Sequence, residues 1–135
     1  MKILIINGPN LNLLGTREPE IYGTIKMEDY LEELREKFEN QEIMLFQSNH
    51  EGEIIDRIQN VNYEALVVNM GAFTHYSYAI ADALKNVNLP KIEVHISNIY
   101  KREEFRQKSV TAAYTDAILS GFGLKGYQLA IESLL

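Results

Sequence analysis

Residues 2–6 read Lys-Ile-Leu-Ile-Ile, and residues 65–68 read Ala-Leu-Val-Val. A strand with one face in water alternates apolar and polar residues; these two runs do not alternate, so both of their faces must be covered. Strands covered on both sides belong to parallel sheets, and parallel neighbours need long crossovers, usually helices. Weaker runs at Ile43–Phe46, Lys91–Val94 and Ala117–Leu119 predict three further strands. The stretches between them have helical spacing. Tyr30, Leu31, Leu34 and Phe38 fall on one face opposite a Glu/Lys/Arg-rich one. Ile54, Ile55, Ile58 and Val61 repeat the pattern, as do Tyr78, Ala79, Ala81, Ala83 and Leu84, and a last helix is expected over Tyr127–Leu135.

Strand–helix alternation without repeat or linker predicts one α/β domain over residues 1–135. The expected architecture is flavodoxin-like: a doubly wound five-stranded parallel sheet with helices on both faces, in the order 2-1-3-4-5 by analogy. A net charge of −6 argues against nucleic acid as a partner, and the absence of cysteine removes disulfides, thiolate zinc sites and a cysteine nucleophile. The longest apolar run, Ile3–Ile6, is too short to span a membrane. The opening residues read as a first strand rather than a signal peptide, so a cytoplasmic protein is expected.

Polar side chains follow each strand: Asn7 and Asn10, then Ser48, Asn49 and His50, then Asn69, Thr74 and His75, then His95, Ser97 and Asn98, and finally Ser120. In open α/β sheets ligands bind at this carboxyl edge. Ser48 or Asn49 could instead cap the helix beginning near Glu51, and Thr74 the next one. Capping does not explain why Asn69, His75 and His95 share one rim. The loop from Gly8 to Gly23, carrying Arg17, Glu18, Glu20 and Tyr22, has the make-up of a mobile lid over about 8–24, or of a solvated surface loop. An arginine near a tyrosine can stabilise a phenolate.

Gly121-Phe-Gly-Leu-Lys-Gly126 is a formal GxGxxG, but no strand with an acidic residue follows it, so a turn and helix start is expected rather than a dinucleotide site. His75 and His95 could approach each other, yet no carboxylate stands at ligand spacing beside either, and no metal site is expected. The segment Lys101–Arg106 puts positive charge beside His95, either as a solvated turn or as an anion clamp. The residues alone point to a small polar or anionic substrate and acid–base chemistry with a histidine base.

Six segments, in order and well spaced, carry a resemblance: Ile-Ile-Asn-Gly-Pro-Asn-Leu-Asn-Leu-Leu-Gly (5–15), Arg-Glu-Pro-Glu-Ile-Tyr-Gly (17–23), Gln-Ser-Asn-His-Glu-Gly-Glu (47–53), Asn-Met-Gly-Ala-Phe-Thr-His (69–75), Glu-Val-His-Ile-Ser-Asn (93–98) and Arg-Glu-Glu-Phe-Arg (102–106). Together they resemble the type II 3-dehydroquinate dehydratases along essentially the whole chain. The resemblance implies reversible dehydration of 3-dehydroquinate to 3-dehydroshikimate, in the shikimate route to aromatic amino acids or in quinate breakdown. It implies no metal or organic cofactor and a homododecamer built from trimers. Position by position, it makes Tyr22 rather than a histidine the base and Arg17 its activator, with His95 the general acid. Asn10 would hold a water on the carbonyl and Glu93 would orient His95. Asn69, His75, Asp82 and Arg106 would bind hydroxyls, Asp82 from a neighbouring subunit, and the backbone at Ile96 and Ser97 would cradle the carboxylate. The family usually has Pro where this chain has Met70, which frees the backbone beside Asn69, and Tyr or Leu where it has Phe73. A flavodoxin-like module that binds a small ligand or nucleotide without turnover is the alternative.

Overall fold

The computed structural model describes residues 1–16, 20 and 24–135. Five strands form one sheet: β1 (Lys2–Asn7), β2 (Glu42–Gln47), β3 (Ala65–Asn69), β4 (Lys91–His95) and β5 (Ala117–Ser120). Their order is β2-β1-β3-β4-β5 and every pairing is parallel, as the strand pattern and the fold analogy predict. The helices are α1 (Met27–Lys37), α2 (Glu51–Gln59), α3 (Tyr78–Lys85) and α4 (Lys125–Leu134). Short 3-10 turns at Leu11–Leu13, Gly71–His75, Ile99–Lys101, Glu104–Arg106 and Ala112–Tyr114 fill the connections.

Side chains alternate across each central strand, so one strand feeds two cores. Ile3 and Ile5 join Val67 and Val94 under α1 and α4, where Leu31, Leu34, Tyr127 and Ile131 close the layer. Leu4 and Ile6 join Leu66 and Val68 under α2 and α3, with Ile54, Ile58, Ile80 and Leu84. The strands β1, β3 and β4 are buried along almost their whole length, whereas β2 and β5, at the two edges, are only partly covered. Val61 is a second departure from the pattern: α2 ends at Gln59, and Val61 lies beyond it and exposed.

The loop after β1 is not a lid along its whole expected length. The Gly8 N–H donates to the Asn69 carbonyl at 2.7 Å, and Leu11 and Leu14 are buried in the core under α1 and α4. Residues 8–14 are therefore part of the packed frame. Arg17 and Tyr22 lie outside the described residues.

The capping readings also change. His50 is the N-cap position of α2, without a side-chain bond of its own. Ser48 instead accepts the His50 N–H at 2.9 Å and donates to Glu53 at 2.7 Å. Asn49 turns the other way, its Oδ1 accepting from the Asn10 N–H at 3.0 Å. The cap of α3 is Ser77, which accepts from Ile80, while Thr74 lies buried inside the preceding 3-10 turn.

Candidate active site

Residues two apart on a strand share a face, so β4 sends Glu93 and His95 to the same side. Both are buried, and His95 Nε2 lies 2.8 Å from Glu93 Oε2. Ser109 donates to the same carboxylate oxygen at 2.7 Å, and Thr111 donates to Oε1. Burial alone pushes the Glu93 carboxyl up, but the donors from His95, Thr111 and Ser109 outweigh it and hold it below its ordinary value. An ionised carboxylate only accepts, so Nε2 of His95 carries a hydrogen and Nδ1 is the nitrogen left for a ligand. Strand geometry rather than metal-ligand spacing brings this carboxylate beside His95. Among the described residues no group of three or more His, Asp or Glu side chains could hold a metal ion.

The 3-10 turn after β3 places the His75 ring nearly parallel to that of His95, with centroids 6.5 Å apart. Its Nδ1 donates to the Lys108 carbonyl at 2.8 Å. Burial lowers the His75 pKa below 6.5, against that hydrogen bond and helped by the charges of His95 and Arg106. That shift favours the neutral ring, in which Nδ1 carries the hydrogen and Nε2 is a hydrogen-bond acceptor.

Asn69 ends β3, 4% exposed; its Oδ1 accepts the Gly71 N–H at 3.2 Å and its Nδ2 donates to the Tyr127 hydroxyl at 3.0 Å. The Met70 side chain is wholly buried under α2 and α3, and its backbone packs against Gly8 so closely that a Cβ there would sit 2.2 Å from the Met70 oxygen. Phe73 is half-buried, edge-on to Tyr76 at 5.8 Å.

These groups surround one narrow cavity. Asn69, His75, His95, Ile96, Ser97 and Arg106 line it, together with Leu11, Ile99 and Arg102. Arg102 donates to Ser97 Oγ at 3.2 Å. Glu103 steadies both guanidinium groups from outside, 3.0 Å from Nε of Arg106 and 3.9 Å from Nε of Arg102. The segment 101–106 thus runs from the end of one 3-10 turn through a second, with Arg102 and Arg106 lining the cavity while Lys101, Glu103 and Glu104 stay exposed. A wider polar groove outside shares Ile96, Ser97 and Arg102, and Glu20 forms part of its rim.

Six of the expected site residues therefore meet, with Glu93 directly behind them. Two do not: Asp82 stands exposed on α3, and Asn10, in a left-handed conformation with φ 67°, lies outside the cavity lining. Sequence reasoning passed over Arg102, Ser109 and Thr111. Arg102 had a signal, its place in the basic segment, whereas the two hydroxyls come from coil without pattern. The GxGxxG is a turn: Gly121 and Gly123 have φ of 95° and 61°, and α4 starts at Lys125.

A carboxylate-backed imidazole and two arginines lining one cavity at the carboxyl edge of a doubly wound sheet define a class, an α/β enzyme with its site at that edge. The model of the family "Dehydroquinase class II" matches residues 1–135, and the chain belongs to that family. It is similar to the 3-dehydroquinate dehydratase of Thermotoga petrophila, 54% identical over 98% of this chain and 93% of the relative. That of Caldicellulosiruptor bescii is 56% identical over 98% and 95%. Among solved structures, the type II dehydroquinase of Butyrivibrio crossotus superposes with a TM-score of 0.95 at 53% identity, covering 99% of this chain and 97% of that one. The type II dehydroquinase of Propionibacterium acnes follows at 0.93 and 43%, covering 99% and 96%.

Proposed function

We propose that this chain catalyses the reversible dehydration of 3-dehydroquinate to 3-dehydroshikimate. The observation that carries the reading is the Glu93–His95 pair meeting Asn69, His75 and Arg106 in one cavity, in a chain whose full-length relatives bear that enzyme's name. Tyr22, as a phenolate that Arg17 stabilises, takes the C2 proton next to the ketone. The electron pair moves onto the carbonyl oxygen as an enolate, whose charge Arg17 and a water held by Asn10 stabilise. The enolate then collapses to a C1–C2 double bond. The C1 hydroxyl leaves with a proton from His95 Nδ1, as water, and Glu93 against Nε2 balances the ring's charge.

The arginines and the backbone of Ile96 and Ser97 suit the substrate carboxylate, while Asn69 and the acceptor Nε2 of His75 suit its hydroxyls. We assign Asp82 to the site of a neighbouring subunit in a homododecamer of trimers; its exposed position on α3, away from its own cavity, supports this.

Incubation of the purified protein with 3-dehydroquinate should raise the absorbance of the conjugated enone. Tyr22→Phe should abolish the rise while leaving substrate affinity within a few-fold, because the carboxylate and hydroxyl contacts remain. His95→Ala should lose about 10²–10⁴-fold in kcat. A protein with no turnover, or a Tyr22→Phe variant with full turnover, overturns the assignment.

A further inference from the structure

One wall of the cavity rests on a buried relay of polar side chains drawn from opposite ends of the chain. Asn7 ends β1, Asn69 ends β3, and the Tyr127 hydroxyl reaches between them from the first turns of α4. All three side chains are buried. We propose that Tyr127 is a positioning residue for substrate binding, fixing the Asn69 amide so that its spare N–H meets an oxygen of the ligand. The inference rests on reading the cavity as the substrate site.

The orientation follows from one group that cannot turn. The Gly71 backbone N–H only donates, so the atom 3.2 Å away must be the oxygen of Asn69. That sets Asn69 Nδ2 against the Tyr127 oxygen at 3.0 Å. Having received a hydrogen, the phenol sends its own proton the other way, to Asn7 Oδ1 at 2.8 Å. Turning the Asn69 amide over would oppose N–H to N–H at Gly71. Burial raises the Tyr127 pKa far above its ordinary value, so that proton stays in place. Of the two hydrogens on Asn69 Nδ2 one is spent on Tyr127, and the other is the donor this amide has left. Asn69 lines the cavity beside His75, His95 and Arg106.

A purely structural tyrosine would affect stability alone; a positioning one acts on binding and only through Asn69. The test uses Tyr127→Phe, Asn69→Ala and the double variant, with steady-state kinetics on 3-dehydroquinate and a crystal structure of Tyr127→Phe. Tyr127→Phe should raise KM about tenfold, the loss of one hydrogen-bonded orientation, with kcat changed less than about twofold. In the Asn69→Ala background the same substitution should leave KM unchanged, since nothing remains to be oriented. The crystal structure should show Asn69 in a second rotamer. An unchanged KM, an equal loss in both backgrounds, or Asn69 in one undisturbed rotamer overturns the proposal. Should Tyr127→Phe fail to fold, Asn7→Ala keeps the phenol but removes the acceptor that aims its proton, and it should raise KM in the same direction; no rise overturns the proposal. A wild-type protein without turnover would sink the dehydratase reading instead, and the Asn69 rotamer would still decide the role of Tyr127.

Discussion

A carboxylate with no exposed surface is costly unless every lone pair that faces the protein meets a donor. Glu93 meets three, from His95, Ser109 and Thr111, all from side chains that only donate to it. Glu93→Gln keeps the volume but removes the charge behind His95 and replaces one acceptor oxygen with an NH2 group. It should lower kcat by about 10²-fold, within the range that a general acid contributes, through misorientation of His95. The variant should also change the acid limb of stability. The folded Glu93 carboxyl lies below the ordinary 4.5, so the unfolded chain binds the extra proton as pH falls. The wild type therefore holds this stabilisation in full above that value and loses it as pH drops through the folded one. The stability gap between wild type and Glu93→Gln should stay constant above about pH 5.5 and narrow below 4.5. Denaturant titrations across that range check it, and a gap that widens toward acid would contradict the assignment.

Between elements, the tightest constraint is where the loop after β1 crosses the end of β3. Gly8 and Met70 touch backbone to backbone, and Gly71, with φ 58°, packs against Pro9. Gly8→Ala would drive a methyl group into the Met70 carbonyl and push the two strand ends apart. It should destabilise the fold by about 3 kcal/mol or more, as backbone-limited overpacking does. Because Asn69 sits next to the displaced carbonyl, substrate affinity should fall as well. A denaturant midpoint and KM both at wild-type values would show that the contact yields freely. This crossing also shows what could be read in advance. The central strands were legible because Ile3–Ile6 and Ala65–Val68 are buried on both faces and carry no polar interruption. The ligand edge was legible because βαβ topology gathers every strand end there. Whether Ser48, Asn49 and Thr74 were caps stayed open because a short polar side chain near a helix start has several N–H groups within reach, and only packing selects one. Ser109 and Thr111 left no trace, since nothing periodic ties coil residues to a strand 16 or 18 positions earlier.

If Asp82 acts from a neighbouring subunit, as proposed, its role is read only in the assembly. The Asp82 helix buries Ile80, Ala81, Ala83 and Leu84, and Tyr76, Tyr78, Tyr100 and Phe105 are large side chains exposed in the single subunit. If each site takes its clamp from one chain and Asp82 from the next, two crippled chains can mend each other. Asp82→Ala and Arg106→Ala should each be nearly inactive. Co-assembled in equal amounts, they should recover about a quarter of wild-type turnover, the share of ring sites that draw both intact residues by chance. If Asp82 served its own subunit, no mixed site would be whole and nothing would be recovered.

The hydrogen bond from Tyr127 to Asn7 spans 120 residues of sequence. Protein synthesis makes Asn7 120 residues before Tyr127, and between the two events the end of β1 has a polar side chain without its partner. Hydrophobic collapse of β1 with β2 and β3 does not need to wait for α4, but the pocket does. A nascent chain therefore cannot acquire the finished relay before α4 has left the ribosome, and turnover becomes a report on the docking of α4 rather than on collapse.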